Sequence, residues 1–191
     1  GFLRGTFARK SPLTMSCSVT FEQSYGGIAG DSASSTEVYA ILSAISGVTL
    51  RQDVAITGSV DQYGNVQAIG GVNEKIQGFF RVCSEDGLTG NQGVLIPDSN
   101  VGDLHLPEEV VASVDQGLFH VWAVDNVADG IELLTGQPAG TWTEDEGWSD
   151  GSIFGACQER LDEMVRLMRK AAKSVDKGDE SKNETGNEND T

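Results

Sequence analysis

Between Gly30 and Lys75 the chain alternates tight turns with short regular elements, and glycine marks the joints at Gly30, Gly47, Gly64 and Gly70-Gly71. From Ser35 to Ile45, the residues Val38, Ile41, Leu42 and Ile45 recur at the spacing of one buried helical face. Ser34 or Ser35 suits the N-cap of that helix, Glu37 its first turn and Gly47 its stop. Val54 to Val60 and Val66 to Ile69 read as the two strands of a hairpin around Gln62-Tyr63-Gly64-Asn65. Gly70-Gly71 leads into a second helix whose shared face carries Val72, Ile76, Phe79, Phe80 and Cys83.

The rest of the chain is less regular. Residues 1–14 read as a loose lead-in. Met15, Cys17, Val19 and Phe21 alternate with polar residues, the pattern of a half-buried strand, which the glycines of Tyr25-Gly-Gly-Ile-Ala-Gly30 break. Gly93 to Pro97 is a short buried strand that Pro97 ends or confines to an edge. Leu106 to Val114 reads as a helix with Pro107 in its first turn, Leu118 to Val124 as a strand, and Asn126 to Leu134 as a helix closed by Gly136. Strands and helices mix without strict alternation, so the fold class is α+β. The expected organisation is a lead-in over 1–14, a main domain over 15–136, a wrapping loop (137–157) and C-terminal helix (158–174) over 137–174, and a disordered acidic tail over 175–191.

Charge narrows the partners. The formal net charge is -16, which argues against nucleic acid and against an anionic membrane face. Cys17, Cys83 and Cys157 are too few and too scattered for a disulfide framework or a zinc site. A reducing, cytoplasmic setting follows as the expectation. No apolar run approaches a membrane span, no signal peptide opens the chain, and its abrupt start suggests a piece of something longer.

Few residues invite chemistry. A serine hydroxyl is a poor nucleophile until a base removes its proton. His105 and His120 stand in no recognisable catalytic context. Lysine serves as the base when its pKa falls from ~10.4 towards ~7–8. Lys75 opens the second helix with Val72 and Phe79 on either side, where apolar neighbours and a helix N-terminus both disfavour a cation. Taken alone, a surface lysine that lays its stem on apolar groups is the stronger reading. Ser32 sits on a Gly-led turn just before a helix, where backbone N–H groups can receive an oxyanion; turn-filling serines are also common. Asp31 beside it is a turn former or a tuning charge. Thr57, at the end of a strand, offers a hydroxyl that can aim the lysine, or is simply a strand-favouring residue.

Taken as an ordered set, these motifs resemble the proteolytic domain of Lon-family ATP-dependent proteases, most closely the B-type and Lon-like members. The resemblance rests on Phe21-Glu-Gln-Ser-Tyr-Gly-Gly, Gly30-Asp-Ser-Ala-Ser, Asp53-Val-Ala-Ile-Thr-Gly-Ser-Val, Gly64-Asn-Val-Gln-Ala-Ile-Gly-Gly, Val72-Asn-Glu-Lys, and Gly93-Val-Leu-Ile-Pro with Asn100. It spans roughly residues 10–136. It implies the Lon proteolytic-domain fold, with small mixed sheets and packed helices, and a serine endopeptidase acting on unfolded or misfolded proteins. It further implies Ser32 as nucleophile, Lys75 as general base, Thr57 as the lysine's support, and a homohexameric ring. Two departures stand out. Where many members have Gly-Pro-Ser-Ala-Gly, this chain has Gly30-Asp31-Ser32-Ala33-Ser34, the B-type variant, and Ala29 stands where some members carry an acid. No Gly-x4-Gly-Lys-Ser/Thr occurs. The chain is therefore expected to hold no cofactor of its own, with ATP and Mg²⁺ used by an AAA+ module N-terminal to it. The rival reading is a non-catalytic Lon-like domain for ring assembly or substrate binding.

Overall fold

A computed structural model of the chain describes residues 1–20 and 30–184. The main sheet has three parallel strands in the order β1-β4-β5, formed by Val54–Ile56, Gly93–Pro97 and His120–Val124. β4 is buried along its whole length, so the central position of a continuous apolar run is what parallel pairing requires. Pro97 ends this strand and does not place it at an edge, because its missing N–H falls at the last paired position, opposite Val124. Gly93 is needed where it stands: a Cβ there would run into the backbone of His120 and the ring of Trp122. Two antiparallel ribbons complete the sheets, β2 (Ser59–Val60) with β3 (Val66–Gln67), and β6 (Trp142–Thr143) with β7 (Gly147–Trp148). The molecule is thus the expected α+β assembly of small mixed sheets and packed helices.

Apolar residues divide into two clusters on the two faces of β4. Leu95 joins Tyr39, Leu42, Ile131, Leu134 and Phe154 on one side, and Val94 and Ile96 join Val72, Ile76, Phe80 and Phe119 on the other. This is the period-two alternation of a strand. The first side packs α2 (Ser34–Ser46), α5 (Val127–Thr135) and α6 (Ile153–Glu184); the second packs α3 (Val72–Asp86) and α4 (Glu108–Asp115). α5 starts where Asn126 accepts a hydrogen bond from the Asp129 N–H and stops at left-handed Gly136.

Several expectations change. Residues 1–14 are not a loose lead-in. Phe2–Phe7 forms α1, and Phe7 is buried with its ring 5.9 Å from that of Phe154 and 6.3 Å from that of Trp148. Six residues are too few to hold a helix by propensity, so packing holds this one. Residues 15–20 form no strand, and Val19 is exposed, because the alternating run finds no strand edge to pair with among the described residues. Phe21, the glycine-rich break after it and Ala29 lie outside the described residues. The hairpin strand drawn from Val54 to Val60 is two strands bent apart at Thr57-Gly58. β1 joins the parallel sheet and only β2 forms the hairpin. The wrapping loop contains the β6–β7 ribbon, and α6 begins at Ile153, earlier than Gln158. That helix continues to Glu184, through residues expected to be disordered, because each added residue extends an existing helix at little cost; residues 185–191 lie outside the described residues. Among the described residues, no helix is long and apolar enough to cross a membrane.

Tyr39 lies fully buried against α5, and its hydroxyl has no hydrogen-bond partner among the described residues. Burial pushes this phenol well above its ordinary pKa, and burial likewise pushes the Cys157 thiol up to about 12. Both groups are neutral in the folded chain and ionise more readily once unfolded. Their contribution is therefore complete below the unfolded pKa values, ~8.5 for Cys and ~10 for Tyr, and is lost as pH rises beyond them. Tyr39→Phe removes the unpartnered hydroxyl and should raise stability by ~1 kcal/mol. It should also flatten the decline above pH ~10, as read by urea unfolding at pH 7 and 10.5.

Candidate active site

Gly30 adopts φ +103°, a conformation that other residues rarely take, and so turns the chain into α2. The turn closes where the Ser34 N–H donates to Asp31 O at 2.9 Å. Ala33 is the N-cap, and neither Ser34 nor Ser35 caps the helix; the Ser34 hydroxyl is engaged instead by the Val60 N–H at 2.9 Å. Ser32 therefore sits just before the first helical turn. Its carbonyl accepts from the Gly58 N–H at 2.8 Å and from Thr57 Oγ1 at 3.3 Å.

Thr57 follows directly on β1, is 7% exposed, and is anchored by its N–H to Leu95 O at 3.0 Å. Lys75 lies in the first turn of α3, which starts from left-handed Gly71. Its Nζ donates to Thr57 Oγ1 at 3.0 Å. One hydroxyl thus accepts from the lysine and donates to the serine's carbonyl. Asn100 fixes the approach to α3: it is buried, accepts from the Ile69 N–H at 2.9 Å and donates to Ile69 O at 3.1 Å.

Ser32, Thr57 and Lys75 line one cavity of about 220 Å³, walled by Ala55, Ile56 and Val94. The lysine is exposed, as the reading of that residue taken alone expected. Val72 and Ile76 turn to the core, while Lys75, at the margin of that face, stays exposed with its tip held by Thr57. Among the described residues, the lysine's hydrogen bond goes to Thr57 and not to the Ser32 hydroxyl. Asp31 is a turn former tied by its carboxylate: Oδ2 accepts from the buried Ser59 hydroxyl at 2.9 Å.

The histidines are elsewhere. His120 Nε2 lies 2.8 Å from Gly90 O and its ring stacks on Trp122; His105 Nδ1 lies 3.3 Å from Asp103 O. Neither lines the serine's cavity. Among the described residues, no group of three or more His, Cys, Asp or Glu is placed to hold a metal ion. A larger cavity of about 420 Å³, between the β6–β7 ribbon and α6, contains none of the candidate residues. Sequence reasoning missed the parts played by Ser34, Ser59 and Asn100. Only the position of Asn100 after Gly93-Val-Leu-Ile-Pro gave a signal.

The arrangement places a serine on a helix-opening turn beside an amine held by a buried threonine. Residues 26–134 match the model of the Lon protease (S16) C-terminal proteolytic domain. A putative Lon protease homolog of Escherichia coli (strain K12) is 50% identical over 160 residues, covering 84% of this chain and 26% of that protein. A second from Haemophilus influenzae is 40% identical over 161 residues, covering 84% and 27%. The archaeal Lon protease of Methanocaldococcus jannaschii is 42% identical over 112 residues, covering 56% and 16%. The chain thus spans about a quarter of the length of the first two relatives. With residues 26–134 matched by the family model and 50% identity to a relative over 84% of its length, the chain belongs to the Lon protease (S16) family and carries its C-terminal proteolytic domain.

Proposed function

We propose that Ser32 and Lys75 form a catalytic dyad that hydrolyses peptide bonds in unfolded or misfolded polypeptides. The observation that carries this reading is the Lys75 Nζ–Thr57 Oγ1 bond, made in the cavity that Ser32 lines. Thr57 holds the lysine tip and the serine's backbone at once, so it fixes the base relative to the nucleophile.

In this mechanism neutral Lys75 accepts the Ser32 hydroxyl proton as Oγ attacks the peptide carbonyl carbon. The amides of Ser34 and Ser35 are already engaged, by Asp31 O and Gly58 O. The oxyanion therefore falls to the backbone N–H groups of Ser32 and Ala33. Protonated Lys75 gives its proton to the leaving amine. A water then yields a proton to Lys75 and its oxygen attacks the ester, which releases the acid and restores Ser32.

The wider reading follows the family. The domain works in a homohexameric ring, with ATP and Mg²⁺ used by an AAA+ module N-terminal to it in a longer chain that unfolds and delivers substrate. A reducing compartment such as the cytoplasm suits its unpaired cysteines, of which Cys83 and Cys157 are buried. Nucleic acid and membranes are not partners of this acidic domain.

Ser32→Ala should abolish cleavage of an unfolded polypeptide, read as new N-termini, while its thermal unfolding stays that of the parent. Cleavage at the parental rate would contradict the assignment.

A further inference from the structure

The turn that carries Ser32 is clasped to β2 on both sides of the nucleophile. On one side, Asp31 Oδ2 accepts from the Ser59 hydroxyl at 2.9 Å. On the other, Ser34 Oγ accepts from the Val60 N–H at 2.9 Å. Between them, Ser32 O accepts from the Gly58 N–H at 2.8 Å. Ser59 is 5% exposed, so its hydroxyl is a fixed donor in a dry position, and Asp31 meets it from the exposed side. The two acceptors, Asp31 and Ser34, stand at the two places where the chain departs from Gly-Pro-Ser-Ala-Gly. A proline holds a turn by fixing φ with its ring. A chain with Asp there has no such constraint and must hold the turn by contacts.

We infer that Asp31 and Ser34 are positioning residues: their side chains lock the Ser32 turn to Ser59 and Val60 and so set the direction of the nucleophile. The inference rests on the reading of Ser32 as nucleophile. Neither side chain takes part in the reaction. What they supply is orientation, and a displacement of about 1 Å at a reacting atom can cost ~100-fold in rate.

The test uses the full chain, five single variants, Asp31→Ala, Ser34→Ala, Ser59→Ala, Asp31→Asn and Ser34→Thr, and the double variant Asp31→Ala with Ser59→Ala. It measures kcat and KM on a peptide substrate, thermal unfolding, and hydrogen exchange at the Val60 amide. The alanine variants should lose ~10- to 100-fold in kcat with KM within ~2-fold of the parent. Asp31→Asn and Ser34→Thr each keep an acceptor oxygen and should recover most of that loss. Asp31→Ala combined with Ser59→Ala should be no worse than either alone, since both break one bond. The Val60 amide should exchange ~10-fold faster in Ser34→Ala and not in Asp31→Ala. Parental kcat in the alanine variants, with Val60 exchange unchanged in Ser34→Ala, would overturn the clasp and leave the nucleophile assignment standing. Losses that Asn and Thr fail to recover would overturn it too. Should an alanine variant not fold, Ser59→Ala and the two conservative variants carry the same comparison. If Ser32→Ala retains activity, the nucleophile reading fails first and the clasp with it.

Discussion

Lys75→Ala should lower kcat on a peptide substrate by ~10²- to 10⁴-fold, the range a positioned general base supplies. KM should change little, because the proton moves in the transition state and not on binding. Alanine alone does not separate a base from a lysine that merely braces Thr57, since both roles end with the side chain. Lys75→Arg does. Arginine has donors to offer Thr57 Oγ1, which accepts from the lysine at 3.0 Å, but with a pKa above ~12 it does not give up its proton. If Lys75 is the base, the arginine variant should be as inactive as the alanine one. An arginine variant near the parental rate would make Lys75 a structural cation.

Phe119→Ala should cost ~3–5 kcal/mol, a large part of the ~5–15 kcal/mol that holds a domain of this kind together. The ring is fully buried between α3 and the sheet, 5.1 Å from Phe80 in an edge-on arrangement and 6.4 Å from Phe79. Its loss removes apolar contact and leaves a cavity under α3, the helix that carries Lys75. Activity should therefore fall further than the folded fraction alone explains. Phe119→Leu keeps much of the apolar volume and should lose less on both counts. Urea unfolding followed by circular dichroism reads the stability change. Equal midpoints for parent and alanine variant would mean that this cluster is not what seats α3.

What could be read in the sequence and what could not divide along a physical line. α3 and α5 are long enough to show a periodic apolar face, and Asn126 and Gly136 mark the ends of α5 by local chemistry alone. The break between β1 and β2 leaves no such mark. The alternation runs on through Thr57-Gly58, and the bend exists because the Thr57 N–H pairs with Leu95 O while the Gly58 N–H pairs with Ser32 O, partners distant in the chain. α1 is six residues held by contacts with Phe154 and Trp148, again supplied from far away. The same holds at the site. Ser32, Thr57 and Lys75 each have an ordinary explanation in their own surroundings, and what singled them out was an ordered set of motifs. The exposure of Lys75 was legible, since a lysine that lays its stem on apolar groups and keeps its ammonium in water was the stronger reading of that residue taken alone. The Asp31–Ser59 and Ser34–Val60 bonds join segments whose approach no local pattern announces.

The central claim is that Ser32 is a nucleophile activated by Lys75. Treatment of the full chain with a serine-directed phosphonate, followed by peptide mapping with mass spectrometry, tests it most directly. The adduct should form on Ser32, and its rate of formation should fall at least ~100-fold in Lys75→Ala. An adduct on another serine, or labelling of Ser32 at the same rate with and without Lys75, would contradict the account.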